Sequence, residues 1–284
     1  MSTLNSLLRF TDVSFTWPEI EAAPSGNIQK PIFDAFTANI PGGFISLMGP
    51  NGSGKTTFML LAGGRILPTR GKIELIGQNT RSLCDPAMTS EMEHKRNLVC
   101  SFLYQNMEFE EQNEDSSMIG NLLEFVYVNG GHRSKEEQFL KDVTKTFELE
   151  QLLSRKLDAL SKGEIQRVLL SFAALYGSQV IMMDEPVFAM EQYQKEKALE
   201  FFKDLHTRTG VSVLVSLHEL SLTRKYADQV MLFYPDRRID LGTCGEVLTN
   251  EALEDAYGVP AAMLYDSENL TRKAMLELSE VEKH

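Results

Sequence analysis

The chain predicts an α/β fold: a mostly parallel sheet, a smaller antiparallel sheet and a helical insertion. Three observations carry this. Residues 45–48, 180–183 and 211–217 are short apolar runs, and the last two are rich in β-formers, of the kind that suits strands covered on both faces. Segments with helical periodicity alternate with them, which is the order of an α/β core. A Gly-rich turn follows the first run and leads into a helix.

In chain order, residues 7–17 partly alternate apolar with polar, as a half-buried strand does. Residues 18–31 carry Pro18, Pro24, Ser25, Gly26 and Pro31, a turn-rich excursion. The run at 45–48 then enters the turn, and a helix is expected from Thr56 to about Gly63. Residues 72–77 alternate again and read as an outer antiparallel strand, so the small antiparallel sheet is expected near 4–47 and 70–77. Residues 120–127 and 136–147 space their apolar residues at i, i+3 and i+4, within a helical stretch that covers about 106–172. Past residue 236 only helix-like pieces at 250–257 and 270–281 stand out.

The chain has 284 residues, 43% of them hydrophobic, and a formal charge of −12. Such a charge repels nucleic-acid backbones, and no basic patch overrides it, so no nucleic-acid partner is expected. Cys84, Cys100 and Cys244 are odd in number and far apart. They fit neither a disulfide framework nor a zinc site, which favours a reducing compartment. No stretch reaches the ~18 apolar residues of a membrane span, and residues 1–10 lack signal-peptide features. The expectation is a cytoplasmic chain that any membrane role would tie to a separate anchor.

Gly49-Pro-Asn-Gly-Ser-Gly-Lys-Thr56 matches G-x-x-x-x-G-K-[ST] at every fixed position. Its glycines let consecutive N–H groups face phosphate oxygens, and the helix that follows adds its positive end. Lys55 is placed to reach the β- and γ-phosphates, and the Thr56 hydroxyl to ligate Mg²⁺. The nucleotide-binding set is Gly49, Pro50, Asn51, Gly52, Ser53, Gly54, Lys55, Thr56 and Thr57, with a nucleotide and Mg²⁺ as the expected ligands. Asp184 and Glu185 follow the apolar run 180–183, at the strand end where an open parallel sheet places its ligands. Asp184 is assigned to Mg²⁺, and Glu185 to orienting and deprotonating an attacking water.

With these residues in place the chain resembles the ATPase subunits of ATP-binding cassette (ABC) transporters over nearly its whole length. Leu160-Ser-Lys-Gly-Glu-Ile-Gln-Arg167 is similar to the family signature LSGGQ, with Glu164 at its fifth position. Gln105 falls where the family has a loop glutamine that serves Mg²⁺ and water. His218, 34 residues past Asp184, sits like the switch histidine. Trp17, the only tryptophan, lies where the family carries an aromatic that stacks on adenine. The resemblance implies a P-loop NTPase with a RecA-like parallel core, an antiparallel subdomain and a helical signature subdomain. It divides the chain into an ATPase domain at 1–236 and a C-terminal extension at 237–284.

The resemblance also implies that two such subunits, identical or paralogous, close head-to-tail. Ser161, Gly163 and Glu164 of one would then cover ATP bound to the other. Glu185, His218, Lys55 and Gln105 are the implied catalytic residues, and Thr56, Gln105 and Asp184 the metal-binding ones. Integral membrane permease subunits are implied partners, with a substrate-binding protein as a further candidate, and the place of work is the inner face of the cell membrane. The tail 241–259 is similar to that of ATPases serving iron–siderophore, haem, cobalamin and metal uptake, which favours an importer. An exporter or lipid-moving complex, or a soluble non-transport member, is the alternative.

Two departures stand out. Lys162 replaces the first signature glycine, and Val187-Phe-Ala-Met-Glu191 replaces a Thr-Ser-Ala-Leu-Asp pattern. Residues 106–118 hold five carboxylates and no basic side chain. In the family this segment lines the groove for a short helix of the membrane subunit, so the segment is either a solvated acidic loop or the docking site of a complementary basic helix.

Overall fold

The structure is a computed structural model. It describes residues 6–18, 30–85, 87–104, 118–132, 135–188, 190–266 and 268. The ten strands described are β1 (Leu8–Phe15), β2 (Phe33–Ile40), β3 (Phe44–Met48), β4 (Arg70–Leu75), β5 (Gln78–Asn79), β6 (Cys100–Leu103), β7 (Val180–Met183), β8 (Ser212–Ser216), β9 (Gln229–Phe233) and β10 (Ile239–Gly242). They form two sheets. One has the order β2-β1-β4-β5, with every pairing antiparallel. The other has the order β10-β9-β3-β8-β7-β6, parallel except for β10 on β9.

In β3, β7 and β8 every residue is buried. An apolar run with no polar face needs cover on both sides, which only an interior strand of the parallel sheet provides. This corrects one expectation: Phe44–Met48 stands in the middle of the parallel sheet, between β8 and β9, and not in the antiparallel one. The alternating β1 joins the antiparallel sheet as expected, with Leu8 opposite Ile40 on one side and Leu75 on the other.

The α-helices described are α1 (Lys55–Ala62), α2 (Ser90–Val99), α3 (Ile119–Asn129), α4 (Glu137–Thr146), α5 (Lys162–Leu175), α6 (Gln192–Thr209), α7 (Leu220–Tyr226), α8 (Cys244–Val247) and α9 (Asn250–Tyr257). Between the two sheets, α1 buries Phe58 and Met59 against Phe10 and Phe233, with the rings of Phe10 and Phe58 stacked at 5.0 Å. Full burial of one such side chain stabilises by about 1.5–3 kcal/mol. The opposite face of the parallel sheet packs on α3–α6 through residues such as Leu123, Val168, Leu199 and Phe202. A third cluster joins Met48, Val230 and Leu232 to Val247, Leu248, Leu253 and Ala256, so α8 and α9 rest against the strands that frame the Gly-rich turn.

The helix expected at 250–257 is α9, and the one expected from Thr56 is α1. That expected at 270–281 lies outside the described residues. Among those described, no helix is long and apolar enough to cross a membrane.

Candidate functional site

Three parallel strands deliver the site. Their register sets Leu47 opposite Ser216 and Met183 opposite Val215. Gly49, Asp184 and His218 therefore emerge from one edge of the sheet, the carboxyl end. Gly49 has φ +136, and a Cβ there would stand 2.3 Å from the Phe233 carbonyl oxygen, so no other residue fits. Gly54, at φ +111, caps α1 and starts the helix at Lys55.

Lys55 is buried, and its Nζ donates to the carbonyls of Gly49 (2.7 Å) and Pro50 (3.1 Å). Burial lowers its pKa, against the opposing pull of the Glu185 and Asp184 carboxylates. Thr56 donates its hydroxyl to Asp184 Oδ2 at 2.6 Å, and Ser216 donates to Asp184 Oδ1 at 2.6 Å. The same Ser216 oxygen accepts from the Glu185 backbone N–H at 2.7 Å. Glu185 adopts φ +50, a left-handed conformation strained for this side chain. Its carboxylate lies 2.7 Å from His218 Nε2.

Lys55, Thr56, Glu185 and His218 line a cleft of about 620 Å³ with Trp17, Asn51, Gly52, Gly54 and Thr57. Trp17 is 41% exposed, and its Nε1 donates to Thr57 Oγ1 at 3.2 Å. Its ring meets Phe15 edge-on with centroids 5.1 Å apart, which leaves surface open toward the cleft. Ser53 Oγ is buried with no hydrogen-bond partner among the described residues, as a loop built around a missing polar ligand leaves it. The donor set of Thr56 hydroxyl and Asp184 carboxylate suits Mg²⁺, which takes few protein oxygens and completes its shell with phosphate and water.

The signature residues Ser161, Gly163 and Glu164 do not line this cleft. They form the start of α5, where the Ser161 hydroxyl accepts from Glu164 N and the Glu164 carboxylate accepts from Ser161 N at 2.7 Å. Arg155 holds the other oxygen of Glu164 at 2.8 Å. Such a reciprocal cap stabilises a helix by about 1 kcal/mol. Lys162 is the first residue of that helix and is absent from the positive-φ residues, so its replacement of glycine strains nothing. Gln105 and residues 106–117 lie outside the described residues.

Sequence reasoning missed several members of the site. Ser216 ties Asp184 to Glu185; its signal was a polar residue ending an apolar strand. Gln166 donates to the Pro186 carbonyl at 2.6 Å, linking the signature helix to the loop after Glu185. Phe188 lines the cleft while 72% exposed. Replacing Trp17 with Ala should weaken ATP binding by about 5- to 100-fold, the range for loss of one base–aromatic stack. Calorimetric titration checks this, and an unchanged affinity would remove Trp17 from the site.

Fold and loop together define a P-loop nucleoside triphosphatase of the α/β class. Residues 36–188 match the ABC transporter family, and the chain belongs to that family as an ATP-binding, ATP-hydrolysing transporter subunit. A phosphonates import ATP-binding protein of Halalkalibacterium halodurans is 26% identical over 220 residues, 76% of this chain and 88% of that protein. A molybdenum import ATP-binding protein of Saccharophagus degradans is 28% identical over 236 residues, 82% of this chain and 61% of that one. Among solved structures, the dimeric post-hydrolysis state of an ATP-binding cassette bound to ADP and Pi superposes with a TM-score of 0.67. It is 23% identical and covers 83% of this chain and 98% of its own, a likeness in fold.

Proposed function

We propose that this chain powers an importer, hydrolysing Mg²⁺-ATP at the interface of two ATPase subunits docked on separate integral membrane permease subunits. One observation carries the hydrolytic reading: Lys55, Thr56 and the Glu185–His218 pair line one cleft beside the loop 49–56, with Asp184 hydrogen-bonded to Thr56. Loop amides and Lys55 hold the triphosphate, and Trp17 stacks on the base. Thr56, Asp184 and Gln105 would hold Mg²⁺, which would neutralise phosphate charge there. Glu185 accepts a proton from the attacking water, and His218, hydrogen-bonded to Glu185, orients that carboxylate and contacts the γ-phosphate.

Ser161 and the amide of Gly163 complete the site from the second subunit, identical or paralogous, and Glu164 contributes by holding Ser161 in place. Their absence from the cleft within one chain supports this division of labour. In the Glu185→Gln chain, which should retain ATP, Mg²⁺-ATP is expected to shift the species from monomer to dimer in sedimentation. Adding Ser161→Arg should abolish that shift. Dimers that persist in the doubly substituted chain would defeat the interface assignment.

Import is supported by the names of the phosphonate and molybdenum relatives and by the tail sequence at 241–259. The cargo belongs to the class of metals, metal chelates or cofactors, delivered by a substrate-binding protein, and the subunit works on the cytoplasmic face. Vesicles reconstituted with the permease that copurifies with this chain decide the direction. ATP added on the side of this subunit should drive substrate toward that side. Movement away from it would replace the importer with an exporter.

A further inference from the structure

The triphosphate loop is held from outside by residues that lie beyond the segment matched by the family, 36–188. The N–H of Gly49 donates to the Tyr257 hydroxyl at 3.0 Å. Tyr257 ends α9, and its ring packs on the third core cluster. Burial pushes its pKa up to about 12, so the hydroxyl stays neutral at working pH. Three residues along the loop, the Gly52 carbonyl accepts from Arg237 Nη1 at 2.6 Å. Arg237 sits in the β9–β10 turn at φ +76, a left-handed conformation that non-glycine residues rarely take, with its N–H donated to the Tyr234 carbonyl at 3.1 Å. Its guanidinium lies 3.9 Å from where a Cβ on Gly54 would stand.

We propose that this C-terminal region sets nucleotide affinity by bracing the phosphate-binding loop at two points, Tyr257 on Gly49 and Arg237 on Gly52. The inference rests on the reading of residues 49–56 as the triphosphate loop. Gly49 is gripped on both sides: its N–H by Tyr257, and its carbonyl by the Lys55 Nζ that reaches for phosphate. An amide-lined cradle binds an anion well only when its N–H groups already point inward, because ordering a slack loop takes free energy from binding. The loop cannot draw that rigidity from helix α1 alone, since Gly49, Gly52 and Gly54 all have positive φ and precede it. Neither Tyr257 nor Arg237 lines the cleft, so both act as positioning residues.

The test uses the full chain and Mg²⁺-ATP. Tyr257→Phe keeps the buried ring and deletes the hydroxyl. Arg237→Asn keeps a residue that tolerates left-handed backbone and deletes the reach to Gly52. Each should raise the Kd for Mg²⁺-ATP about 3- to 10-fold, the effect of one lost hydrogen bond. KM should rise in step while kcat stays within about twofold. A merely structural role would instead lower the melting temperature and the active fraction, leaving KM unchanged. Lys55→Met serves as the control. If it loses ATP while both brace variants bind as the parent does, the brace is refuted and the site stands. If it binds ATP normally, both readings fall.

Discussion

Glu185→Gln is expected to slow steady-state ATP turnover about 100- to 10,000-fold, the usual share of a general base, while Mg²⁺-ATP binding stays within a few-fold of the parent. The substitution is nearly isosteric, so the amide can keep a hydrogen bond to His218 and the backbone N–H keeps Ser216. What it cannot do is take a proton from water at neutral pH. The strained φ of +50 at this position makes the case stronger than proximity alone. Non-glycine residues rarely take that region; here Ser216 holds the main chain of Glu185 and His218 its side chain. Phosphate release under saturating ATP measures the rate, and calorimetry the binding. Turnover within tenfold of the parent would mean that another group activates the water.

His218 enters that argument only as a partner. Its Nε2 faces Glu185, its side chain is about two-fifths exposed, and it lines the cleft. Ser216 links this pair to the Thr56–Asp184 pair through a single oxygen that donates to one carboxylate and accepts from the backbone of the next residue. The part of the site expected to hold metal and the part expected to activate water are therefore mechanically continuous within one chain. The signature helix joins the same unit, since Gln166 grips the carbonyl of Pro186. A signature displaced by a second subunit would pull directly on the residue after Glu185.

Much of this was legible in the sequence because each signal had one physical cause. Glycines at 49, 52 and 54 answer to positive φ, and Asp184 follows four apolar residues that suit an interior strand and form one. Other parts had no such one-to-one signal. β2 is an edge strand with only Phe33 and Ile40 buried, so its pattern does not alternate cleanly. β3 looks from sequence like any short apolar run, and only its pairing with β8 and β9 tells which sheet it joins. Tyr257 lies 208 residues from Gly49, and nothing local to either announces the contact. The signature residues carry a cap motif that any helix could use, so their sequence alone does not say that they face another subunit.

Replacing Lys55 with Met should abolish Mg²⁺-ATP binding to beyond about 100-fold weaker, since one removed cation leaves phosphates without a buried, charge-assisted contact. The same change should leave the nucleotide-free chain no less stable. Burial is the leading cause of the lowered Lys55 pKa, ahead of the two carboxylates that oppose it. For a base whose pKa is lower in the folded chain than in the unfolded one, the charged form works against folding. That penalty is complete at pH values below the folded pKa and fades as pH rises through the interval between the folded and unfolded values. Wherever Lys55 is charged in the folded chain the parent therefore carries that penalty, and Met, of similar length and uncharged, does not. Melting curves without nucleotide should show the variant equal to or above the parent near pH 7, with the gap narrowing as the medium becomes alkaline. With saturating Mg²⁺-ATP the order should reverse, because only the parent gains stability from binding. A variant that melts well below the parent without nucleotide would show that Lys55 holds the Gly49 and Pro50 carbonyls for the fold's sake. The reversal, if found, identifies a residue kept at the fold's expense for the anion it meets.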